Sequence, residues 1–204
     1  MIEAELKARV REPGAVLRRL ESACGPGRAE VYRDTYYDAP DGRLLGGDRE
    51  LRIREVVSAD GSRRALLTYK EARVDQASGS KPEHETAVAD AEAAHAIVRG
   101  LGLAPRLVFE KRCRNYQLER EGWRFLVTLV RVPRLDGVFL EVETAADGAA
   151  ELAGALAAVR RVLGELGVDE GEVTNELYTD AVMRLCPSAS SPSRAAGRGT
   201  PPPS

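Results

Sequence analysis

The 204-residue sequence has few of the residues on which histidine-based and cysteine-based chemistry depends. It contains two histidines and three cysteines, and the cysteines Cys24, Cys113 and Cys186 are odd in number and widely spaced. Such spacing fits reduced thiols better than a disulfide framework or a zinc site. With only two histidines, the sequence also gives little basis for a Ser/His/Asp catalytic triad. The sequence also contains neither a GxGxxG motif nor a P-loop, so any phosphate would have to be held by side chains.

Long apolar runs and a strong charge of one sign are absent too. No run of about eighteen apolar residues occurs, and no charged segment precedes an apolar stretch at the N-terminus. The cytoplasm is therefore the expected location. Thirty Lys and Arg nearly cancel thirty-two Asp and Glu, which leaves a net charge of −2. This balance gives no global indication of a nucleic-acid or membrane partner, so any electrostatic function must be local.

The length and composition predict one domain with a tail. Hydrophobic residues make up 43% of the chain, which is enough for one sizeable core. Residues 187–204 contain no large apolar side chain and are rich in Pro, Ser, Gly and Ala, so burial cannot offset the entropy of ordering them. We expect a folded domain over residues 1–186 and a disordered Pro/Ser/Gly-rich tail over 187–204.

Apolar periodicity predicts an α+β fold. Alternating patterns predict eight strands, over residues 2–10, 31–38, 50–57, 64–71, 83–89, 106–118, 123–132 and 138–144. Patterns with a 3.6-residue period predict helices, over residues 13–24, 91–100, 147–166 and 174–185. Predominantly antiparallel strands with helices at the joins indicate a sheet long enough to close into a barrel.

The first strand carries an unusual arrangement of charge. Its alternation places four charged residues, Glu3, Glu5, Lys7 and Arg9, on one face, because successive side chains of a strand point to opposite sides. Two carboxylates suit a cation, and the basic residues that follow them suit an anion. A metal-bound polyphosphate requires both. From this segment alone, an ordinary amphipathic edge strand with a solvated charged face is an equal alternative.

The same spacing of charges recurs along the chain. Like charges stand two residues apart in Arg52/Arg54, Glu83/Glu85 and Glu141/Glu143, and Lys70 ends another strand. Burying so many charges without partners would cost too much free energy. We therefore predict a barrel whose apolar outer face is covered by helices and whose charged lumen is wet and holds a ligand of both signs, such as a triphosphate with a divalent metal.

Five ordered motifs resemble the CYTH superfamily, the triphosphate tunnel metalloenzymes. The motifs are Glu3-x-Glu5-x-Lys7, Asp34–Pro40, Leu51–Arg54, Leu67–Lys70 and Phe139–Glu143. The superfamily includes class IV (CyaB-type) adenylyl cyclases, thiamine triphosphatases and inorganic triphosphatases. The resemblance spans about residues 1–183. It implies an eight-stranded antiparallel β-barrel enclosing a tunnel, with Mg²⁺ or Mn²⁺ as cofactor and a triphosphate as substrate.

The resemblance also implies roles for individual residues. Carboxylate oxygens suit hard divalent cations, and the implied metal ligands are Glu3, Glu5, Glu141 and Glu143. Arginine binds phosphate through its planar fork and lysine as a point charge, and the implied phosphate ligands are Lys7, Arg52, Arg54 and Lys70. The motif Glu3, Glu5 and Lys7 is the implied catalytic set. Glu83 and Glu85 match an acidic strand whose carboxylates orient basic side chains or bind metal. For each residue, a solvated or ion-paired barrel charge is the alternative.

The sequence departs from the family pattern in the predicted strand 106–118. Relatives commonly carry a lysine and an arginine two residues apart shortly before an aromatic residue. Counted back from Tyr116, Lys111 matches the lysine, but Cys113 stands in place of the arginine. Either Lys111 faces the tunnel beside a thiol, or the register is shifted by one residue and Arg112 and Arg114 face inward. All three basic residues are therefore phosphate-binding candidates.

A second departure concerns the strand before the final pair of glutamates. Cyclase-like relatives often carry an acidic residue there, whereas this strand reads Thr128–Pro133 and the nearest acid is Asp136, in the predicted turn. The motifs and the length resemble the CyaB-like branch most, which implies conversion of ATP to cyclic AMP and pyrophosphate. The alternatives are a triphosphatase acting on inorganic, thiamine or nucleoside triphosphate, and a module that binds a nucleotide or polyphosphate without turnover. The resemblance allows a homodimer, although no unpaired apolar stripe requires one.

Overall fold

A computed structural model describes residues 1–76 and 78–185. The strands are β1 (Ile2–Val10), β2 (Arg28–Asp38), β3 (Glu50–Ser58), β4 (Arg63–Lys70), β5 (Lys81–Val88), β6 (Ala104–Arg120), β7 (Trp123–Arg131) and β8 (Val138–Ala146). The helices are α1 (Pro13–Cys24), α2 (Arg43–Gly46), α3 (Ala91–Gly100), α4 (Ala149–Glu165) and α5 (Tyr178–Leu185), and a 3₁₀ helix covers Glu170–Glu172. Cys186 and the tail predicted over 187–204 lie outside the described residues. None of the described helices is long and apolar enough to cross a membrane.

The eight strands form a closed barrel. Their order around the barrel is β1-β5-β4-β3-β2-β6-β7-β8, and all neighbouring pairs are antiparallel. The closure between β1 and β5 is short, since only Ile2 and Glu3 pair across it. The β1–β8 ladder, by contrast, runs the full length of β1. The prediction of a closed eight-stranded antiparallel barrel with flanking helices is confirmed.

Helices cover the apolar outer face of the barrel. The outward residues of β1 are buried, among them Ala4, Leu6 and Ala8, and they belong to the same core as Val159 and Val162 of α4. Fully burying a side chain such as Leu or Val contributes about 1.5–3 kcal/mol relative to leaving it exposed. Burial of this face against helices leaves the charged face of the same strand pointing into the lumen, because side chains alternate.

The helix predicted over residues 174–185 begins later than expected, at Tyr178. The preceding residues pair with β1 instead: Val173 forms a bridge with Ala8, and the Thr174 amide donates to the Lys7 carbonyl over 2.8 Å. A backbone partner on another strand therefore overrides the local helical pattern. The short α2 was not predicted either; the Asp38 carboxylate accepts hydrogen bonds from the Leu44 and Leu45 amides of that turn.

Candidate active site in the barrel tunnel

The inward faces of the strands enclose a cavity of about 440 Å³. Most of the charged residues singled out in the sequence line it: Glu3, Glu5, Lys7, Arg52, Arg54, Lys70, Glu83, Glu85, Lys111, Glu141 and Glu143. They come from β1, β3, β4, β5, β6 and β8. The barrel therefore brings into one cavity residues that are up to 140 positions apart in the chain, counted from Glu3 to Glu143.

The orientation of β6 decides between the two registers that the sequence left open. Lys111 points into the tunnel and is buried. Arg112 is exposed and contacts Glu110, and Arg114 donates to Glu21 of α1 over 2.8 Å. The inclusion of Arg112 and Arg114 among the phosphate ligands is thereby corrected, because neither lines the tunnel.

The packing of β6 against the helices explains this register. Tyr116 and Leu118 lie two and four residues after Arg114 on the same face of the strand, and both are buried in the outer core that includes α1. A slip of one residue would exchange the faces and move these apolar side chains into the lumen. Lys111, Cys113 and Asn115 consequently face inward.

Three carboxylates form what we term the acidic cluster: Glu3, Glu5 and Glu143. One oxygen of each lies within 4.8 Å of the others. The β1–β8 register places Glu5 directly opposite Glu143, so two like charges face each other. Burial raises the pKa of Glu5 to about 7, and repulsion from Glu141 and Glu3 adds to the effect. Burial, with repulsion from Glu3 and Glu5, likewise raises the pKa of Glu143 well above its usual range.

The acidic cluster suits a hard divalent cation. Its donors are carboxylate oxygens, which Mg²⁺ and Mn²⁺ prefer, and they already converge. The ammonium of Lys70 contacts Glu3 but also lies 2.8 Å from Glu83. One shared lysine is too little positive charge to keep all three carboxylates ionised, and a divalent cation would supply the charge that is missing.

Glu141 is not one of the three converging carboxylates, although its charge acts on Glu5. It faces Lys7 across the β1–β8 ladder, and the Lys111 Nζ is 3.4 Å from its Oε1. Burial alone would raise the pKa of Glu141, but attraction to Lys111 and Lys7 outweighs burial and holds the pKa below its usual range. Of the four carboxylates predicted to bind metal, the structure thus groups three and places the fourth among lysines.

Arg52 and Arg54 are held in place by acidic and polar neighbours. Arg54 makes a two-pronged contact with Asp34, Nε to Oδ1 at 2.7 Å and Nη2 to Oδ2 at 2.8 Å. The Arg52 Nη2 donates to the Thr68 hydroxyl over 3.2 Å and lies 3.6 Å from Glu85. Among the described residues, the buried Nε of Arg52 has no hydrogen-bond partner. A buried donor without an acceptor is costly, and a phosphate oxygen would satisfy it.

The acidic strand β5 contacts basic and polar neighbours. Glu83 lies 2.8 Å from the Lys70 ammonium, and Glu85 accepts a hydrogen bond from the Thr68 hydroxyl over 2.7 Å. Burial would lower the pKa of Lys70, but Glu3 and Glu83 outweigh burial and raise the pKa well above its usual range. This arrangement favours the orienting role for Glu83 and Glu85 over direct metal binding.

Some residues inside the barrel, in the tunnel or beneath its lining, were not predicted as site residues from the sequence. The Glu30 side chain is fully buried and accepts hydrogen bonds from Arg64 over 2.7 and 3.0 Å and from Asn115 over 2.7 Å. Asp34, in a motif already noted, anchors Arg54. A signal existed for both acids, since polar residues alternate along β2 in Glu30-x-Tyr32-x-Asp34. Tyr178 had no such signal, because its place in the tunnel depends on how the C-terminal segment pairs with β1.

The inward face of β7 carries no carboxylate. Leu126 lines the tunnel, and Thr128 donates a hydrogen bond to the Asn115 side chain over 2.9 Å. Asp136 lies in the turn between β7 and β8. The position at which cyclase-like relatives often carry an acid is therefore neutral here.

Several solved structures have the same architecture. The PH1819 protein of Pyrococcus horikoshii OT3 is 26% identical, with a TM-score of 0.79 over 90% of this chain and 99% of that one. A candidate adenylate cyclase of Vibrio parahaemolyticus is 20% identical, with a TM-score of 0.74 over 90% of this chain and 98% of that one. A Hippeastrum protein described as a candidate adenylyl cyclase with a dominant triphosphatase activity is 16% identical, with a TM-score of 0.59 over 90% of this chain and 95% of that one.

At such identities, the Vibrio and Hippeastrum proteins support the fold alone. No curated protein matches the sequence significantly. The family model of the CYTH domain matches residues 1–178, which include all of the strands and the whole acidic cluster. Members of this family are metal-dependent enzymes that act on triphosphates. The closed barrel, the charged tunnel and this match agree, and the chain belongs to the CYTH family.

Proposed function

We propose that the chain is a divalent-metal-dependent enzyme that converts ATP to cyclic AMP and pyrophosphate in the barrel tunnel. The observation that supports it is the division of one cavity into an acidic cluster and a set of cations. A metal-bound triphosphate requires carboxylate oxygens for its metal and basic side chains for its phosphates. An ion-lined tunnel without a ligand would be poorly stabilised, because like charges such as Glu5 and Glu143 face each other in it.

In this proposal the carboxylates and the cations of the tunnel bind different parts of the metal-bound triphosphate. Glu3, Glu5 and Glu143 hold Mg²⁺ or Mn²⁺, which when bound neutralises charge on the phosphate oxygens. The phosphate chain is bound by Lys7, Arg52, Arg54, Lys70 and Lys111. Because neighbouring carboxylates already orient these cations, little reorganisation is needed as charge develops on the departing pyrophosphate. Glu141 orients Lys7 and Lys111.

A second cavity supports a nucleotide as the substrate rather than an inorganic triphosphate. It has a volume of about 420 Å³ and adjoins the tunnel, since Tyr36 and Leu177 line both. Its other lining residues include Leu45, Leu107 and Met183. Eight of its eighteen lining residues are charged, so a flat nucleobase could pack on the apolar side chains while its polar edge meets the charged ones. In the cyclase reaction the ribose 3′-hydroxyl gives up its proton, its oxygen bonds to the α-phosphorus, and pyrophosphate leaves.

Triphosphate hydrolysis is the second candidate. In that reaction water attacks the terminal phosphorus and no nucleoside has to be aligned. The neutral inward face of β7, with Leu126 and Thr128, favours it, because cyclase-like relatives often have an acid on that strand. The dominant triphosphatase activity described for the Hippeastrum protein, a structural neighbour of this chain, points the same way.

Product analysis tests the proposal. Purified protein would be incubated with ATP, GTP, thiamine triphosphate or tripolyphosphate and with Mg²⁺ or Mn²⁺, and products followed by chromatography and phosphate assay. Glu5→Ala is the site variant, and Glu110→Ala, on the outer face of β6, is the control. Cyclic nucleotide with pyrophosphate, lost only in Glu5→Ala, supports the cyclase. Orthophosphate without cyclic product supports the triphosphatase. Metal-dependent binding without any product would overturn both in favour of a binding module.

A further inference from the structure

Two lysines of the tunnel share one aromatic ring. The Lys7 Nζ lies 4.2 Å and the Lys111 Nζ 4.3 Å from the centroid of the Tyr178 ring. Lys7 belongs to β1 and Lys111 to β6, which are not neighbours in the barrel. Tyr178 is the first residue of α5 and is buried. The ring therefore joins two sides of the tunnel that the sheet itself does not connect.

The ring is firmly placed. Phe139 of β8 packs against it edge to face, with ring centroids 5.2 Å apart and an interplanar angle of 89°. Val182, one turn further along α5, is fully buried in the same core. The segment before the helix is tied to β1 by the hydrogen bond from Thr174 to the Lys7 carbonyl, and the Lys7 ammonium contacts the Glu176 carbonyl. A ring held from both sides can set the positions of the ammonium groups that lie over it.

An aromatic ring differs from a carboxylate as a partner for these lysines. The face of the ring attracts cations but does not neutralise them, whereas a carboxylate would form an ion pair and compete with an anionic ligand. Glu141 already supplies one negative charge to the pair. A second carboxylate in place of the ring would cancel the remaining positive charge. The ring instead keeps two cations close together and available to phosphate.

We propose that Tyr178 is a positioning residue for triphosphate binding, whose ring holds the ammonium groups of Lys7 and Lys111 where the phosphate chain is bound. This inference rests on the proposed function, because it takes these two lysines as phosphate ligands. The recognised chemistry is the charged oligophosphate itself, so the effect extends to inorganic tripolyphosphate and does not depend on the nucleoside.

The test compares Tyr178→Phe, which keeps the ring, with Tyr178→Leu, which removes it. Tyr69→Leu is the matched control, since Tyr69 stacks on His84 outside the tunnel. The Kd of tripolyphosphate with Mg²⁺ would be measured by calorimetry, and KM and kcat by product assay. We expect Tyr178→Leu to weaken binding about tenfold and to raise KM more than it lowers kcat. Tyr178→Phe keeps the ring and loses only the hydroxyl beside Glu141, so it should retain most of the affinity. Equal losses in Phe and Leu, or no loss in Leu, would overturn the inference.

A graded series covers the case in which Tyr178→Leu fails to fold. Phenylalanine carrying one, two or three ring fluorines at position 178 keeps the shape of the ring while its attraction for cations declines. Affinity for tripolyphosphate should fall stepwise along the series. The same series at Phe139, which meets the Tyr178 ring edge to face and contacts neither ammonium group in the described structure, should show no such gradient. A flat response at position 178 contradicts the inference.

A ligand-free readout separates this inference from the proposed function. The ε-methylene NMR signals of Lys7 and Lys111 should be shifted upfield by the ring in wild type and in Tyr178→Phe, and should return to ordinary values in Tyr178→Leu. Unshifted lysine signals in wild type would disprove the positioning even if the enzyme is active. Shifted signals in a protein that binds no triphosphate would instead disprove the proposed function and, with it, the role assigned to Tyr178.

Discussion

On β2, Glu30 and Asp34 have fully buried side chains, and each pairs with an arginine of another strand, Glu30 with Arg64 of β4 and Asp34 with Arg54 of β3. Burial alone would raise the pKa of Asp34, but Arg54 and Arg52 outweigh burial and hold it well below its usual range. On β1 and β8 the situation is reversed. Glu5 and Glu143 face each other, and burial together with repulsion from neighbouring carboxylates raises both pKa values. The two regions line the same barrel with carboxylates of the same kind.

The two regions differ in whether neighbouring cations compensate the negative charge of the carboxylates. Carboxylates that have their own cations are satisfied by the fold, and their contribution is structural. Carboxylates that lack enough cations are costly until a ligand supplies the charge, which is why perturbed pKa values concentrate at functional sites. Within one charged lumen, the uncompensated cluster therefore identifies the metal site better than the mere presence of acidic residues does.

Removal of one carboxylate of the acidic cluster should have the largest effect of all the changes, and the quantity that it lowers is enzymatic activity. Glu5→Gln should lower metal-dependent turnover by at least about a hundredfold, because even partners of metal ligands cost 10–100-fold when mutated. Stability without metal should not fall, since a like-charge contact is removed. Turnover and thermal unfolding would be measured together, with Glu110→Gln as the control. A variant that loses stability but keeps turnover would contradict the comparison.

Removal of a compensated carboxylate should act on stability. Asp34→Asn leaves Arg54 and Arg52 without their main counter-charge in a buried setting, and breaking such a pair typically costs about 3–5 kcal/mol. Denaturant unfolding of wild type, Asp34→Asn and Asp136→Asn, an exposed turn control, would measure this change. A loss below about 1 kcal/mol for Asp34→Asn would show that the pair is not a structural anchor.

The next-largest effect should be the pH dependence of stability, which should differ between the carboxylates of the acidic cluster and those paired with arginines. In the folded, metal-free protein the pKa of Glu5 is raised from 4.5 to about 7. Folding therefore favours the protonated form of Glu5. The stabilisation of the folded state that results is complete below pH 4.5 and is lost as the pH rises through 7. A rise in pKa from 4.5 to about 7 is worth about 3 kcal/mol, so relative to Glu5→Gln wild type should lose roughly 6–11 °C in Tm between pH 4.5 and 7.5.

Added Mg²⁺ provides the check on that pH dependence. Bound cation should restore the Tm of wild type at pH 7.5 and leave Glu5→Gln much less affected, because only wild type retains the complete acidic cluster. Differential scanning fluorimetry at both pH values, with and without Mg²⁺, would measure this. An equal response of the two proteins to Mg²⁺ would place the metal elsewhere.

The smallest effect is expected outside the tunnel. Arg112→Ala and Arg114→Ala should each change stability by less than about 1 kcal/mol, because both arginines form exposed ion pairs. The KM for triphosphate should stay at the wild-type value in both, whereas Lys111→Ala should raise it. A raised KM in either arginine variant would contradict the inward orientation of Lys111.

Strand alternation explains why much of the fold and of the site follows from the sequence. The spacing of Glu3, Glu5 and Lys7 determines that they share a face, and the apolar residues between them determine which face is buried. The same reasoning placed Arg52 with Arg54 and Glu141 with Glu143. Local periodicity also predicted the eight strands and their closure into a barrel.

Local sequence patterns did not determine the register in which neighbouring strands pair. Whether Lys111 or Arg112 faces inward depended on the packing of Tyr116 and Leu118 against the helices. The two glutamates of β8 look alike in sequence, yet one faces Glu5 and the other faces Lys7, because the register of β1 against β8 decides their partners. Tyr178 reaches the tunnel only because Thr174 pairs with β1.

The sequence by itself determined which residues carry charge and which strand face they occupy, since both follow from residue identity and the two-residue period. Only the tertiary structure decided which charges are compensated and which are left for a ligand. The physical reason is that electrostatic energy in a low-dielectric interior depends on distances between residues far apart in the chain, and closure of the barrel sets those distances.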